Sequence, residues 1–376
     1  MIPYGRQDIS EADIQAVVEV LRSDWLTQGP AVPAFERALA ERCGARHAVA
    51  VNSGTSALHL ACLALDVGPG DLVWTSAITF VASANCARYC GADVDFVDID
   101  ARTYNMSVDA LQKRLKAAKR LPKVVIPVHL CGQPCDMAAI RALGKRYGFR
   151  IIEDASHALG ARYRNEPVGN GRYSDITVLS FHPVKIITSG EGGAALTNDS
   201  AFAKRMQLLR THGITRDAAD MTHAPDGVWY YEQQELGLNY RLTDVHAALG
   251  LSQMARLDQF LAARKRIAAR YDERLAGVPV TTPSQHPDGE SAWHLYVVRV
   301  KNHRKVFDKL RAAGIAANLH YIPVYRQPYY ERMGFDRAQF PEAERYYGEA
   351  ITLPIFPRLA ERQQDEVVGA LKAALA

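Results

Sequence analysis

The chain has 376 residues, 48% of them hydrophobic and 23% charged, with a formal net charge of +4. Such a chain can bury a large core, divided here into one large domain and a smaller one. Several classes are excluded: no basic run is interleaved with aromatics as a nucleic-acid surface requires, no apolar stretch reaches the roughly 18 residues of a membrane span, and the start MIPYGRQD lacks a signal-peptide core. The expected compartment is the cytoplasm, where the six cysteines stay reduced. Cys86 with Cys90 and Cys131 with Cys135 repeat a four-residue step, but no further ligands fall at a known spacing, so packing is expected and no metal site.

Ser10, followed by Glu11 and Asp13, reads as the N-cap of a helix running to about Arg22. From His47 to about Leu196, seven short runs (HAVAV, DLVWT, VDFVDI, KVVIPV, RIIED, ITVLSF and GGAALT) alternate with helical patterns such as Val108 to Ala118 and Met137 to Tyr147. The alternation predicts an α/β fold with a mostly parallel seven-stranded sheet and helices on both faces. Ligand sites then belong at the carboxyl ends of the strands. The polar stretch Thr215 to Gly227 is expected to be a mobile loop. From Thr243 one long helical pattern reaches about Leu275, followed by the loop TTPSQHPDGES. AWHLYVVRV then reads as a strand, KVFDKLRAAG as a helix stopped by Gly314, and IAANLHYI as another strand, giving a small C-terminal α+β domain. The expected boundary separates residues 1–245 from 246–376.

Four motifs fall in order along this pattern. In NSGTSALHL a strand gives way to a helix, whose free N–H groups suit a phosphate; Gly54 permits close approach, and the hydroxyls of Thr55 and Ser56 add donors. Phe80 in SAITFVASAN supplies a flat ring. RIIEDASHALGA delivers Asp154 to a strand end, where a buried carboxylate holds a pyridinium protonated. SFHPVKIITSGEGG supplies the amine of Lys185, with Ser180 five residues earlier as a further phosphate donor. A primary amine, a carboxylate, a phosphate cradle and a stacking ring are the parts that pyridoxal 5′-phosphate (PLP) chemistry needs. Singly, each has a plain structural reading, as helix cap, surface ion pair, core aromatic or solvated lysine.

These motifs, with WLTQGP at Trp25 to Pro30, GLNYRLTDVHAALG at Gly237 to Gly250 and NLHYIPVY at Asn318 to Tyr325, make the chain resemble the sugar-nucleotide aminotransferases of the DegT/StrS type, which are fold type I PLP enzymes. Within that family, SFHPVK, SHALGA and HYIPVY are similar to the UDP-sugar C4 aminotransferases of the pseudaminic acid pathway, although Ile186 stands where that branch commonly has proline. The resemblance implies transfer of an amino group from L-glutamate to C4 of a nucleotide-linked 4-keto-6-deoxy sugar. It leaves open a C3 or C4 enzyme acting on a dTDP- or GDP-keto-deoxysugar. It places His157 near the cofactor's phenolic oxygen and Tyr4, His320 and Tyr321 around the sugar. It also implies a homodimer in which Asn239 and Arg241 reach the partner's cofactor and substrate. A related dehydratase has histidine in place of the lysine, and a regulatory protein would have lost the chemistry; Lys185 and Asp154 speak against both.

Overall fold

A computed structural model describes residues 1–376. The seven runs form one sheet of strands β1 (His47–Val51), β2 (Leu72–Ser76), β3 (Asp93–Val97), β4 (Val124–Ile126), β5 (Arg150–Asp154), β6 (Ile176–Ser180) and β7 (Gly193–Thr197). Their order is β1-β7-β6-β5-β4-β2-β3, and only β7 runs antiparallel to its neighbours. These strands read as unbroken apolar runs because both faces are covered. Alternation still decides which face each residue serves: Val49, Val51, Val178 and Ala195 join the core beneath α3 (Gly54–Ala64), whereas Ala48, Ala50, Leu179 and Ala194 meet α2 (Ala31–Cys43).

Helix α1 (Glu11–Arg22) begins at Ser10, whose hydroxyl accepts from the Asp13 N–H while Asp13 accepts from the Ser10 N–H at 2.8 Å. Asp13 is completely buried and also binds Ser252, Gln253 and Arg256. This contact corrects one expectation. The pattern from Thr243 to Leu275 is two helices, Asp244–Met254 and Leu257–Arg274, interrupted where Arg256 leaves helical geometry and turns its guanidinium to Asp8 and Asp13. The second of these helices starts in the core of the large sheet with Leu257 and Phe260 and ends in a C-terminal core with Ile267, Ala268 and Tyr271.

The C-terminal core lies around the antiparallel pair Tyr296–Arg299 and Ala350–Leu353, flanked by helices His303–Ala312 and Glu361–Leu375. Two strands there are shorter than expected. The first starts only at Tyr296, because Trp293 has a φ of 51° that ends extended geometry. In IAANLHYI only Ile315–Ala316 forms a strand, parallel with Ile2–Pro3; Asn318 makes a single antiparallel bridge to Thr352, and the chain delivers His320 and Tyr321 to the cavity described below. Ile2 is thereby packed in the C-terminal core. In the loop expected after Thr215, the Glu232 carboxylate accepts the N–H groups of Thr222 and His223 at 2.6 and 2.7 Å, giving the exposed segment an internal anchor. All six cysteines are free thiols, and five are buried. No helix is long and apolar enough to cross a membrane.

Candidate active site

A cavity of about 520 Å³ opens over the carboxyl ends of β5 and β6. One wall is the start of α3. Ser53 caps that helix by accepting the Ser56 N–H at 3.1 Å, which leaves the first-turn N–H groups of Gly54 and Thr55 without helix partners. Gly54 is packed too closely for a side chain: a Cβ there would lie 2.9 Å from Cβ of Ser180. Gly193 is tighter still, since a Cβ would fall 2.4 Å from the Ser53 carbonyl oxygen and 2.5 Å from the Gly54 nitrogen. The glycines on α3 and β7 thus let bare backbone form the wall, with Ser180 beside it.

Ser56, expected among the phosphate donors, does not line the cavity. Its hydroxyl donates to Asn52 Oδ1 at 2.6 Å and lies 2.9 Å from Ser53 Oγ, because its position in the first turn points it into the cap. Ser53, not Ser56, lines the cavity with Gly54 and Thr55.

Asp154 sits at the last position of β5 and is 5% exposed. Its Oδ1 accepts the Ser156 N–H at 3.1 Å and its Oδ2 accepts the Ser83 hydroxyl at 2.6 Å. Lys185 comes from the loop joining β6 to the reversed strand β7, closed by the Phe181 N–H donating to the Gly192 carbonyl and the Ser189 N–H to the Phe181 carbonyl. The reversal of β7 carries this loop back over the sheet end. Burial lowers the Lys185 amine to about 8, against the opposing pull of the Asp154 charge.

Imidazoles and phenols fill the far side. His157 Nε2 lies 3.1 Å from the Tyr321 hydroxyl, and its ring centroid is 4.4 Å from that of His294. Burial, with Lys185 nearby, drives both histidines well below their usual titration range, so both rings are neutral. His320 is likewise pushed down to about 3 by burial and then by Lys185, and its Nδ1 is 2.9 Å from the Thr352 hydroxyl. Tyr4 lies beside it, ring centroids 4.9 Å apart. Phe80 overhangs the cavity, 55% exposed, with its ring centroid 6.0 Å from that of Tyr321.

The structure therefore brings Tyr4, Gly54, Thr55, Phe80, Asp154, His157, Ser180, Lys185, His320 and Tyr321 to one cavity. Asn239 and Arg241 are not among its lining residues. Asn239 is exposed, and its carbonyl accepts from Asn52 Nδ2 at 3.4 Å; Arg241 forms an isolated bridge to Val51 at the end of β1. Sequence reasoning gave no role to Ser53, Thr79, Ser83, His182, Glu191 or His294; His182 and Glu191 stood within the lysine motif itself, Ser53, Thr79 and Ser83 within the cradle and stacking motifs, and His294 in a run read only as a strand.

Bare N–H groups, a buried carboxylate and a lysine of lowered proton affinity fit a phosphorylated pyridine aldehyde. So do the buried Nδ1 atoms of His157 and His294, which have no partner. Residues 7–372 match the DegT/DnrJ/EryC1/StrS aminotransferase family. The chain belongs to this family. The aminotransferase is 39% identical to the spore coat polysaccharide biosynthesis protein SpsC of Bacillus subtilis (strain 168), across 99% of this chain and 96% of SpsC. Its fold is similar to that of the putative sugar aminotransferase Spr1654 from Streptococcus pneumoniae in its PMP form, with TM-score 0.92 and 34% identity over 100% of this chain and 99% of Spr1654. Spr1654 is also known in a PLP form. Helicobacter pylori PseC, an aminotransferase involved in the biosynthesis of pseudoaminic acid, superposes with TM-score 0.90 and 31% identity over 100% of this chain and 99% of PseC. The aminotransferase is accordingly a PLP-dependent enzyme acting on sugars.

Proposed function

We propose that the enzyme transfers an amino group from L-glutamate to the C4 keto group of a nucleotide-linked 4-keto-6-deoxy sugar, with UDP-2-acetamido-2,6-dideoxy-4-hexulose of the pseudaminic acid pathway as the first candidate. The observation carrying the chemistry is the convergence of Lys185, Asp154 and the Gly54 cradle on one cavity. The sugar reading is supported by SHALGA and HYIPVY and by the likeness to PseC, while SpsC and Spr1654 are no less similar. A C3 or C4 enzyme for a dTDP- or GDP-keto-deoxysugar is the second reading.

In this reading Lys185 would hold the PLP aldehyde, the N–H groups of Gly54 and Thr55 with the Ser180 hydroxyl would hold its phosphate, and Phe80 would shield the ring. PLP supplies an electron sink that makes the C–H bond beside the transferred amine acidic. The Asp154 carboxylate would accept the ring N–H and keep it charged. Lys185 Nζ takes the proton from the donor's α-carbon, a task for which a partly neutral amine is suited. His157, held by Tyr321, would meet the phenolic oxygen. Tyr4, His320 and Tyr321 shape the space for the sugar.

A homodimer with shared sites completes the reading. A nucleotide diphosphate and the two carboxylates of glutamate require cations, yet no arginine lines the cavity. Arg241 and Asn239, which do not line this cavity, would supply those groups to the cofactor and substrate of a second subunit. Mixing inactive Lys185→Ala and Asn239→Ala subunits tests this, because one site of each heterodimer carries neither defect. Recovered activity is expected; a dead mixture despite shown subunit exchange refutes sharing. The sugar is tested by incubating protein, PLP and glutamate with UDP-, dTDP- and GDP-4-keto-6-deoxysugars and identifying the product by mass and NMR. Amination at C4 of the UDP substrate is expected, and amination only of another nucleotide or position overturns the first candidate.

A further inference from the structure

We propose that Thr79 and Ser83 form an oriented hydroxyl relay that fixes the Asp154 carboxylate and keeps its negative charge directed at the cofactor ring. Both are positioning residues for amino transfer. The inference rests on the reading that Asp154 faces the ring nitrogen.

Thr79 lies in the turn after β2, and Ser83 is the second residue of α4 (Ala82–Tyr89). They are 1% and 0% exposed. Ser83 Oγ lies 2.6 Å from Asp154 Oδ2, and Thr79 Oγ1 lies 2.8 Å from Ser83 Oγ. The direction of this chain follows from counting protons. An ionised carboxylate only accepts, and a serine hydroxyl has one hydrogen. The Phe80 carbonyl is 3.4 Å away, and the Thr79 hydroxyl, unlike the carboxylate, can donate in its own right, so the single Ser83 proton goes to Oδ2. The lone pair of Ser83 then takes the proton of Thr79. Each hydroxyl polarises the next, and a short O–H···O⁻ bond is the strong kind.

The other carboxylate oxygen is held by the Ser156 N–H at 3.1 Å, so the carboxylate cannot rotate without breaking bonds on both sides. Donors to a carboxylate favour its ionised form over its protonated one. A proton shared between the ring nitrogen and Asp154 is therefore kept on the nitrogen, where it makes the ring an electron sink. The relay also brackets Phe80, so the turn carrying the aromatic cover and the partner of the ring nitrogen are set by the same two hydroxyls.

The test uses holoenzyme loaded with PLP carrying 15N in the ring, whose resonance separates pyridinium from pyridine. Ser83→Ala removes the donor. Thr79→Val removes only the outer hydroxyl at nearly constant shape and decides the matter if Ser83→Ala does not fold. Losing a hydrogen bond to a charged group shifts the proton equilibrium by roughly tenfold or more. The 15N resonance should move toward pyridine in Ser83→Ala and less far in Thr79→Val, and should return in Thr79→Ser. kcat should fall by roughly tenfold in Ser83→Ala while KM for glutamate changes much less. If folded Ser83→Ala and Thr79→Val keep the wild-type resonance while Asp154→Asn shifts it, the relay is refuted and the role of Asp154 stands. If Asp154→Asn also leaves the resonance unmoved, the reading of Asp154 fails and the relay with it.

Discussion

Lys185 offers the most direct quantitative test. An ordinary lysine titrates near 10.5, whereas burial brings Lys185 to about 8 despite the opposing Asp154 charge. At pH 8 about half of the Lys185 population is then free amine, against roughly 0.3% for a solvated lysine, an advantage of about 150-fold in nucleophile. The experiment is reductive methylation of the apoenzyme with limiting formaldehyde and cyanoborohydride, from pH 6 to 11, with peptide mass spectrometry. Other lysine peptides serve as internal references. Labelling of Lys185 should rise with a midpoint near 8. Because Asp154 raises the value, Asp154→Asn should move the midpoint further down. A midpoint above about 10, or an upward move in Asp154→Asn, would refute the argument that burial outweighs the carboxylate.

Three further outcomes follow from packing. Gly193→Ala places a methyl 2.4 Å from the Ser53 carbonyl and should displace the cradle; PLP affinity measured by equilibrium dialysis should fall at least tenfold, and an unchanged affinity would show that the backbone yields without cost. Asp13→Asn should destabilise the protein by roughly 3 kcal/mol near neutral pH, because Arg256 loses a buried partner. Burial raises the Asp13 value, but donors from Ser252, Ser10 and Gln253 outweigh it and the net shift is downward, so this stabilisation is present above the usual carboxyl range and lost as pH falls below about 4. Denaturant titrations should show the wild-type advantage closing on acidification, and a gap independent of pH would argue against a charge effect. Arg264→Met leaves the carbonyls of Trp293, His294 and Ile355 without donors at 3.3, 3.1 and 3.1 Å, and should lower Tm by several degrees in calorimetry, roughly 1–3 kcal/mol for each carbonyl left unpaired.

Much of this architecture is legible in the sequence because parallel strands buried on both faces appear as continuous Val/Ile/Ala runs, and because strand ends mark where Asp154 and Ser180 must emerge. What escaped reading depends on distant partners. Ser83 is 71 residues from Asp154, and nothing local in VASAN distinguishes a hydroxyl that meets a carboxylate from one that caps a helix. His294 reaches the cavity only because the C-terminal part folds back over the sheet. The break at Arg256 is invisible to periodicity, since the apolar pattern continues through it while its cause, Asp13, lies 243 residues earlier. The direction of the Ser56 hydroxyl has a local cause: its first-turn position turns it to Asn52 and the Ser53 cap.

The helix Leu257–Arg274 begins in one core and ends in another, and midway along it the buried Arg264 is bonded to three carbonyls of the C-terminal part. It acts as a strut. Swinging the C-terminal part away from the sheet would bend this helix or strip those carbonyls of their donor, each a loss of a kcal/mol or more. Entry and exit of a bulky substrate are thus left to the rim, where Phe80 and His182 stand exposed. With the walls braced in this way, selection of a substrate falls to the shape of the floor, and its passage to the rim.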